Sequence, residues 1–323
     1  MIQVGPLLHR IQHSSAGPTI QRSYKVILHQ RTHRLHRNTF TMATQLPHLP
    51  DIERLSPRVI RILGGNPSKF TLQGTNTYLV GKGPKRILID TGIGNRIWPP
   101  SLQKALADEN ATIDRVILTH WHPDHVGGVK DVLTHAPEAK VYKNRPEAGQ
   151  EAITDGQVFE TEGATLKAFH CPGHAVDHMA LVLADEDAMF TGDNVLGHGT
   201  AVFEDLAVYM DSLERMQHQF SGRGYPGHGA VIEDGKAKVR EYISHRKERE
   251  EQILGTMKGQ KSVEDGEGWS SMGIVKVVYA QYPEHLHSPA EGGVVQVLKK
   301  LDGEGRVRQV GDGRWVLSER SAL

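Results

Sequence analysis

Three histidines and a carboxylate crowd into Thr119-His120-Trp121-His122-Pro123-Asp124-His125, directly after the apolar run Arg115-Val116-Ile117-Leu118. That run reads as a short buried strand, so the polar cluster starts where the strand stops. Neutral imidazoles and a carboxylate are donors for a borderline divalent ion such as zinc, and iron or manganese accept the same set. His120 and His122, two apart, point the same way in an extended segment. Asp124 and His125 follow at a turn and reach a second position beside the first. A polar loop with scattered histidines is the alternative in a chain holding 19 of them. The density of candidate ligands here weighs against it.

Further candidates recur at long intervals in similar settings. Phe169-His170-Cys171-Pro172-Gly173-His174 follows the strand-like Thr165-Leu166-Lys167-Ala168-Phe169; Ala188-Met189-Phe190-Thr191 runs into Gly192-Asp193-Asn194; Tyr225-Pro226-Gly227-His228-Gly229 closes the series. Each lies beside small or turn-forming residues, where backbone approaches an ion without side-chain bulk. One shared site at the ends of several strands accounts for all of them. Taken singly, Asp193 also fits a turn cap, and His174 or His228 a hydrogen-bonded core histidine.

The set HWHPDH, PGH, TGD and PGHG resembles the metallo-beta-lactamase superfamily of hydrolases. The resemblance continues through LQGTNTYLVG, ILIDTG, EGATL, DHMAL and GTAVFEDL to YISHR and the tail, covering almost everything after about Ser56. It implies an α/β fold, the four-layer αββα sandwich, with a C-terminal helical, winged-helix-like cap. It also implies that His120, His122 and His174 hold one metal, that Asp124, His125 and His228 hold a second, and that Asp193 bridges both. The expected cofactor is a pair of Zn2+ ions per chain, with Mn2+ or Fe2+ as alternatives. Such a centre lowers the pKa of bound water, so the expected nucleophile is a bridging hydroxide. Asp124 is the expected catalytic residue, accepting the hydroxide proton. Asp90, at the end of a strand, is implied to hold loop or ligand geometry rather than an ion.

The elements that must position these residues are legible as alternating and helical patterns. Val59–Leu63, Asn76–Val80, Lys85–Asp90, Ala139–Tyr142, Leu181–Leu183 and Ala188–Thr191 read as strands. Helices are expected over Ser101–Glu109 after Pro99-Pro100, over Val126–Leu133, over Glu204–Met216, and from about Gly235 through Leu254. Gly127-Gly128 opens the second of these, and two glycines there predict close approach of backbone to the metal loop. A catalytic domain is expected over 56–255. The polar connector Gly259–Gly268 then leads to a cap over 268–323, in which Arg306–Val310 and Trp315–Leu317 suggest a β wing.

Residues 1–50 carry six basic residues and no Asp or Glu, and are expected to stay outside the catalytic fold as a leader or a gene-model extension. A mitochondrial transit peptide has this composition; an over-long gene model starting truly at Met42 is the alternative. The expected location is cytoplasmic, or the mitochondrial matrix if the leader is genuine. The single Cys171 rules out an intrachain disulfide, which suits a reducing compartment. No apolar stretch approaches the length of a membrane span, and no membrane partner is expected. Removing the six basic residues from the balanced 38 basic and 38 acidic leaves 32 against 38, so the remaining body is net acidic. A chain that grips a phosphate backbone usually shows the opposite sign.

Two groups within the superfamily share these motifs. One is the fungal acyl-carrier-protein thioesterases that release polyketides from non-reducing synthases; the other is the beta-lactamase-like protein 2 group of mitochondrial single-strand endoribonucleases. The acidic body and the stretches HCPGH, DAMFTGDNVLGHGTAVFEDL and FSGRGYPGHGAVIEDG are more similar to the thioesterases. YISHR and VKVVY fit both. The expected activity is therefore metal-dependent release of an aromatic polyketide from its thioester, with the acyl-carrier domain of a non-reducing polyketide synthase and the bound polyketide as partners. RNA cleavage by the same centre is the first alternative, with the cap contacting RNA. A non-enzymatic metal-binding interaction protein is the second. Ile93 stands where both groups usually carry Glu. His178 and His198 are candidate donors or substrate contacts near the ligand segments, whereas Cys171 is expected to be a packed small residue. His285 and His287 fall in the cap.

Overall fold

A computed structural model describes residues 46–259 and 267–318. The expected leader lies outside the described residues apart from its last five.

Seven strands form the first sheet in sequence order: β1 (Ile52–Ser56), β2 (Val59–Leu63), β3 (Asn76–Val80), β4 (Lys85–Ile89), β5 (Thr112–Leu118), β6 (Lys140–Lys143) and β7 (Glu151–Ala152). Pairing is antiparallel from β1 to β4 and parallel from β4 to β7. The parallel half needs crossovers, supplied by α1 (Trp98–Asp108) and by α2 (Pro123–Val126) with α3 (Val129–His135). The second sheet has five strands: β8 (Val158–Thr161), β9 (Ala164–His170), β10 (Met179–Leu183), β11 (Ala188–Gly192) and β12 (Gly224–Pro226). Its one parallel pair, β11 with β12, is joined through α4 (Leu206–Met216).

Strands β2 and β3 are buried throughout because both of their faces are covered. Successive side chains leave opposite faces. Val59, Tyr78, Val80, Ile87 and Ile117 meet Leu166, Leu181, Phe190 and Tyr225 of the second sheet. Ile60, Ile62, Leu79, Leu88, Val116 and Leu118 meet Trp98, Leu102, Ala105 and Val132 of the first helical layer. On the far side of the second sheet, Phe169, Ala180 and Met189 pack against α4 and α5 (Gly235–Gly259). The result is the expected αββα sandwich.

The C-terminal segment adds α6 (Ser271–Val278), α7 (His287–Gly303) and the hairpin β13 (Val307–Val310) with β14 (Arg314–Leu317). Ile274, Val275, Val294, Val297, Leu298 and Leu301 join the same apolar cluster as α4 and α5, so this unit is seated on the sandwich by a shared core. Buried Glu250 of α5 pairs with Lys300 of α7 at 2.9 Å. No described helix is long and apolar enough to cross a membrane.

Two helices differ from the sequence expectation. Helix α1 starts at Trp98, so Pro99 and Pro100 lie in its first turn rather than before it. Proline costs nothing there, because those N–H groups have no intrahelical partner. The single helix expected over Val126–Leu133 is two short helices, broken at Gly127-Gly128. A Cβ on Gly128 would stand 2.0 Å from the Thr91 carbonyl oxygen, and one on Gly127 2.6 Å from the Ile93 carbonyl. The glycines let the loop after β4 press onto the metal loop, and that close approach breaks the helix.

Candidate metal centre

The C-terminal ends of β4, β5, β9, β11 and β12 carry Asp90, His120, His174, Asp193 and His228 to one edge of the sandwich. The two sheets are stitched there by the Thr75–His228 bridge and by Asn76 N–H donating to the Gly227 carbonyl at 2.7 Å. The loop after β5 turns at once into α2. His122 is the residue before that helix, and Asp124 and His125 occupy its single turn. This places His120 and His122 on the extended side of the turn and Asp124 and His125 on the helical side.

His120, His122, His174 and Asp193 form one group, and Asp124, His125 and His228 another; within each, the donor atoms lie within 4.8 Å of one another. In the first group, His120 Nε2 is 2.9 Å from His122 Nδ1, which is 3.0 Å from His174 Nε2. The outward nitrogens explain the inward ones. Thr119 Oγ1 donates to Asp90 and so accepts the Nδ1–H of His120 at 3.0 Å. The Val202 carbonyl accepts the Nδ1–H of His174 at 2.8 Å. Both Nε2 atoms therefore turn lone pairs inward.

In the second group, the Nε2 atoms of His125 and His228 each lie 3.3 Å from Asp124 Oδ2. Asp193 sits between the groups: its Oδ2 is 3.1 Å from His228 Nε2 and 3.7 Å from His174 Nε2, and its Oδ1 is 3.5 Å from His125 Nε2. Thr75 Oγ1 donates to Asp124 Oδ2 at 2.8 Å.

Burial pulls the His120 imidazole well below its ordinary value, with His125 beside it adding to the effect. His122 moves the same way, from burial and then His174. Burial opposes ionisation of Asp193 and Asp124, yet the neighbouring histidines outweigh it, chiefly His228 and His125 at Asp193 and His125 at Asp124; both carboxyls fall well below the usual range. At His125, burial also disfavours charge, but Asp193 and Asp90 prevail and push its pKa well above ordinary. On one side His120 and His122 are thus held toward the neutral form, and on the other His125 is held toward its charged form. Buried His125 Nε2 and Asp193 Oδ1 have no hydrogen-bond partner. Inward lone pairs and unpartnered carboxylate oxygen are what divalent cations relieve, so the donor set fits two chelated ions.

The centre floors a cavity of about 540 Å³. Lys69, Phe70 and Leu72 line one side, and His198 to Val202 the other. Phe70 and Val202 remain 67% and 63% exposed, apolar surface kept at the rim.

Residues 70–230 match the model of the metallo-beta-lactamase superfamily, and 270–315 that of the beta-lactamase associated winged helix domain. An atrochrysone carboxyl ACP thioesterase of Aspergillus chevalieri is 47% identical over 284 residues, spanning 86% of this chain and 92% of that protein. The chain belongs to the metallo-beta-lactamase superfamily. The lactamase-like protein nscB of Arthroderma gypseum is 49% identical over 81% of this chain and 87% of its own length. Among solved structures, a beta-lactamase domain protein from Burkholderia ambifaria has a TM-score of 0.70 at 18% identity, covering 85% of this chain and 96% of that one. The metallo-beta-lactamase family protein TTHA1429 from Thermus thermophilus reaches 0.63 at 21%, covering 82% and 100%. These two share the fold, and the winged-helix match covers α6 to the β13–β14 hairpin.

All seven residues named from the sequence as ligands are in the two groups. Asp90 is in neither; it receives Thr119 and His125. His178 is buried beside them, its Nε2 accepting the Asp193 N–H at 3.0 Å. His198 lines the cavity, whereas His285 and His287 do not; His287 bonds the Tyr279 carbonyl at 3.1 Å. Cys171 is fully buried, and burial pushes its thiol up to about 12, so it is a packed, unreactive thiol. Thr75, Thr119 and the Lys143–Asp177 pair beneath Trp121 were not legible as site residues, since Thr, Lys and Asp at those spacings carry no metal signature.

Proposed function

We propose that this hydrolase releases an aromatic polyketide from an acyl-carrier-protein thioester. The observation that carries the proposal is the pairing of two adjoining donor groups with a half-apolar cavity above them, in a chain nearly half identical to an atrochrysone carboxyl ACP thioesterase. In this reading His120, His122 and His174 hold one ion, Asp124, His125 and His228 the other, and Asp193 reaches both. Zn2+ is the proposed ion, because an imidazole-rich set with few carboxylates suits it; Mn2+ or Fe2+ would use the same donors. Bound there, the ions supply Lewis-acid polarisation of the thioester carbonyl and acidify a water molecule.

The chain's own residues do the rest. Asp124 stays ionised, its Oδ2 fixed by Thr75, so Oδ1 is left to accept the proton of the attacking water. A carbon–oxygen bond forms at the thioester carbonyl and the carbon–sulfur bond breaks, giving carboxylic acid and the carrier's free thiol. Phe70, Leu72 and Val202 present apolar surface to a flat acyl group, and Lys69 places a cation at the same rim. The proposed partner is the acyl-carrier domain of a polyketide synthase, whose tethered acyl arm enters this cavity.

The test is a parallel assay of the purified, zinc-loaded protein on an aromatic acyl-carrier thioester and on unstructured single-stranded RNA. The proposal expects release of acid from the thioester and intact RNA, with His122→Ala and Asp124→Ala inactive. RNA cleavage without thioester turnover, or full turnover by either variant, contradicts it.

A further inference from the structure

The chain between Asp193 and Asp205 belongs to no helix or strand, yet it walls the cavity. Its carbonyls lie outside any ladder and need partners from elsewhere. Six of them are taken by side chains: Tyr209 and Thr191 serve Asn194 and Val195 at its start, and four more serve the stretch beyond. The Tyr242 hydroxyl donates to Gly199 at 2.9 Å, Arg246 Nη2 to Ala201 at 2.8 Å, His174 Nδ1 to Val202 at 2.8 Å, and Gln296 Nε2 to Glu204 at 3.0 Å. Tyr242 and Arg246 are four apart on α5, so both face the loop from one side of the helix. They are also the first and last residues of the YISHR motif, which the metal centre leaves unexplained.

We propose that Tyr242 and Arg246 are positioning residues: they fix the 196–203 wall of the acyl cavity and, through the Val202 carbonyl, the orientation of the His174 imidazole. Tyr242 is 1% exposed and works in both directions, accepting the Leu196 N–H at 3.1 Å while donating to Gly199. One oxygen thus spans the loop from its start to its middle. Arg246 adds a second anchor. Its guanidinium lies 4.8 Å from the centre of the Phe203 ring, which stacks on Tyr209 at 5.5 Å. A planar cation meets both demands at once, a donor edge for Ala201 and a flat face for Phe203; an ammonium meets only the first. Val202, the next residue, is held between these two anchored neighbours, and its carbonyl is the acceptor that turns the Nε2 of His174 inward. Gln296 ties the far end of the loop to the winged-helix unit. Neither Tyr242 nor Arg246 lines the cavity or belongs to either donor group, so their influence passes through the backbone.

This inference deepens the hydrolase reading and rests on it for the identity of the cavity. Its decisive test uses zinc alone and needs no substrate. Metal-free protein is titrated with Zn2+, comparing the natural chain with Tyr242→Phe, Arg246→Met, Arg246→Lys and Arg246→Ala, and melting temperature is recorded beside each. The expected result is affinity for one ion of the two lowered about tenfold in Tyr242→Phe and Arg246→Met, the scale seen when partners of metal ligands are lost. Arg246→Lys should recover part of it, and guanidinium added to Arg246→Ala should recover more. In the thioester assay, KM for a bulky aromatic acyl group should rise while that for an acetyl thioester stays nearly constant. Unchanged titration of both ions in Tyr242→Phe and Arg246→Met overturns the proposal. So does a loss that tracks melting temperature alone and is untouched by guanidinium. If Arg246→Ala does not fold, Tyr242→Phe, which removes a single oxygen, decides. A failed thioester assay with altered zinc titration would strike the substrate reading and leave this one standing.

Discussion

Asp90 Oδ2 accepts the Nδ1–H of His125 at 2.8 Å, while the same carboxylate takes the backbone N–H and the hydroxyl of Thr119, each at 2.8 Å. Three donors from two parts of the metal loop converge on one buried side chain. Asp90 sets the His125 ring so that Nε2 faces Asp124 and Asp193. The backbone at Asp90 is left-handed, at φ 58°, which Asn tolerates well. Asp90→Asn therefore keeps the shape but turns an NH₂ toward a donor however it is flipped. Zinc titration should show affinity reduced about 10- to 100-fold, and urea unfolding of the metal-free protein a loss of about 1–3 kcal/mol from the stranded donor.

His178 accepts the Asp193 N–H through Nε2. Burial, reinforced by His174, holds its pKa well below ordinary, so the ring is neutral. His178→Leu leaves a buried N–H unpaired and should cost about 1–3 kcal/mol in urea unfolding. The ring stays neutral in the fold but protonates near 6.5 once unfolded, so the deficit should be largest near pH 8 and shrink as pH falls through about 6.5. His178→Gln, which returns an acceptor, should recover much of it.

Lys143 and Asp177 form an ion pair with both side chains nearly inaccessible, and Asp177 Oδ1 also accepts the Trp121 N–H at 3.3 Å. Removing one partner strands a buried charge, so Lys143→Met should destabilise by about 3–5 kcal/mol. Pairing it with Asp177→Leu should restore part of that loss, the signature of charge stranding rather than lost volume. Chemical denaturation of the three variants measures it.

Proton and metal compete at His125. Its pKa in the metal-free protein is raised above 6.5, so near neutral pH a bound ion must displace that proton. Apparent zinc affinity should then rise with pH by up to about tenfold per unit for this proton and level off above the raised pKa. The same shift stabilises the metal-free fold fully below the unfolded pKa, and that contribution fades as pH climbs through the folded value. Titrations across a pH series, each with its melting temperature, check both; a flat affinity profile contradicts the assignment.

The two clusters of candidate donors were legible because metal chemistry confines such donors to residues like His and Asp, and because turn residues such as Gly173, Gly227 and Pro123 mark each stretch. Strands β2, β3 and β5 showed as apolar runs since both faces of the first sheet are covered. What supports the ligands was less legible, for a physical reason. His174 is oriented by the carbonyl of Val202, and a carbonyl leaves no trace in residue type. Asp124, on α2, is held by Thr75 just before β3, and Lys143 of β6 meets Asp177 in the loop between β9 and β10. The break at Gly127-Gly128 likewise follows from contact with the Thr91 and Ile93 carbonyls, a tertiary demand that overrides the helical pattern of Val126–Leu133. YISHR was visible as a motif, but its purpose lies in a loop that neighbours it only in the folded chain.

The most direct measurement is metal content with activity, on the intact protein and on Asp193→Ala. The two donor groups adjoin at Asp193. Close to two zinc ions per folded chain are expected, with fewer in Asp193→Ala and thioester hydrolysis lost with them. A folded protein that binds no zinc, or an Asp193→Ala variant that keeps both ions and hydrolyses thioester at the natural rate, would contradict that expectation.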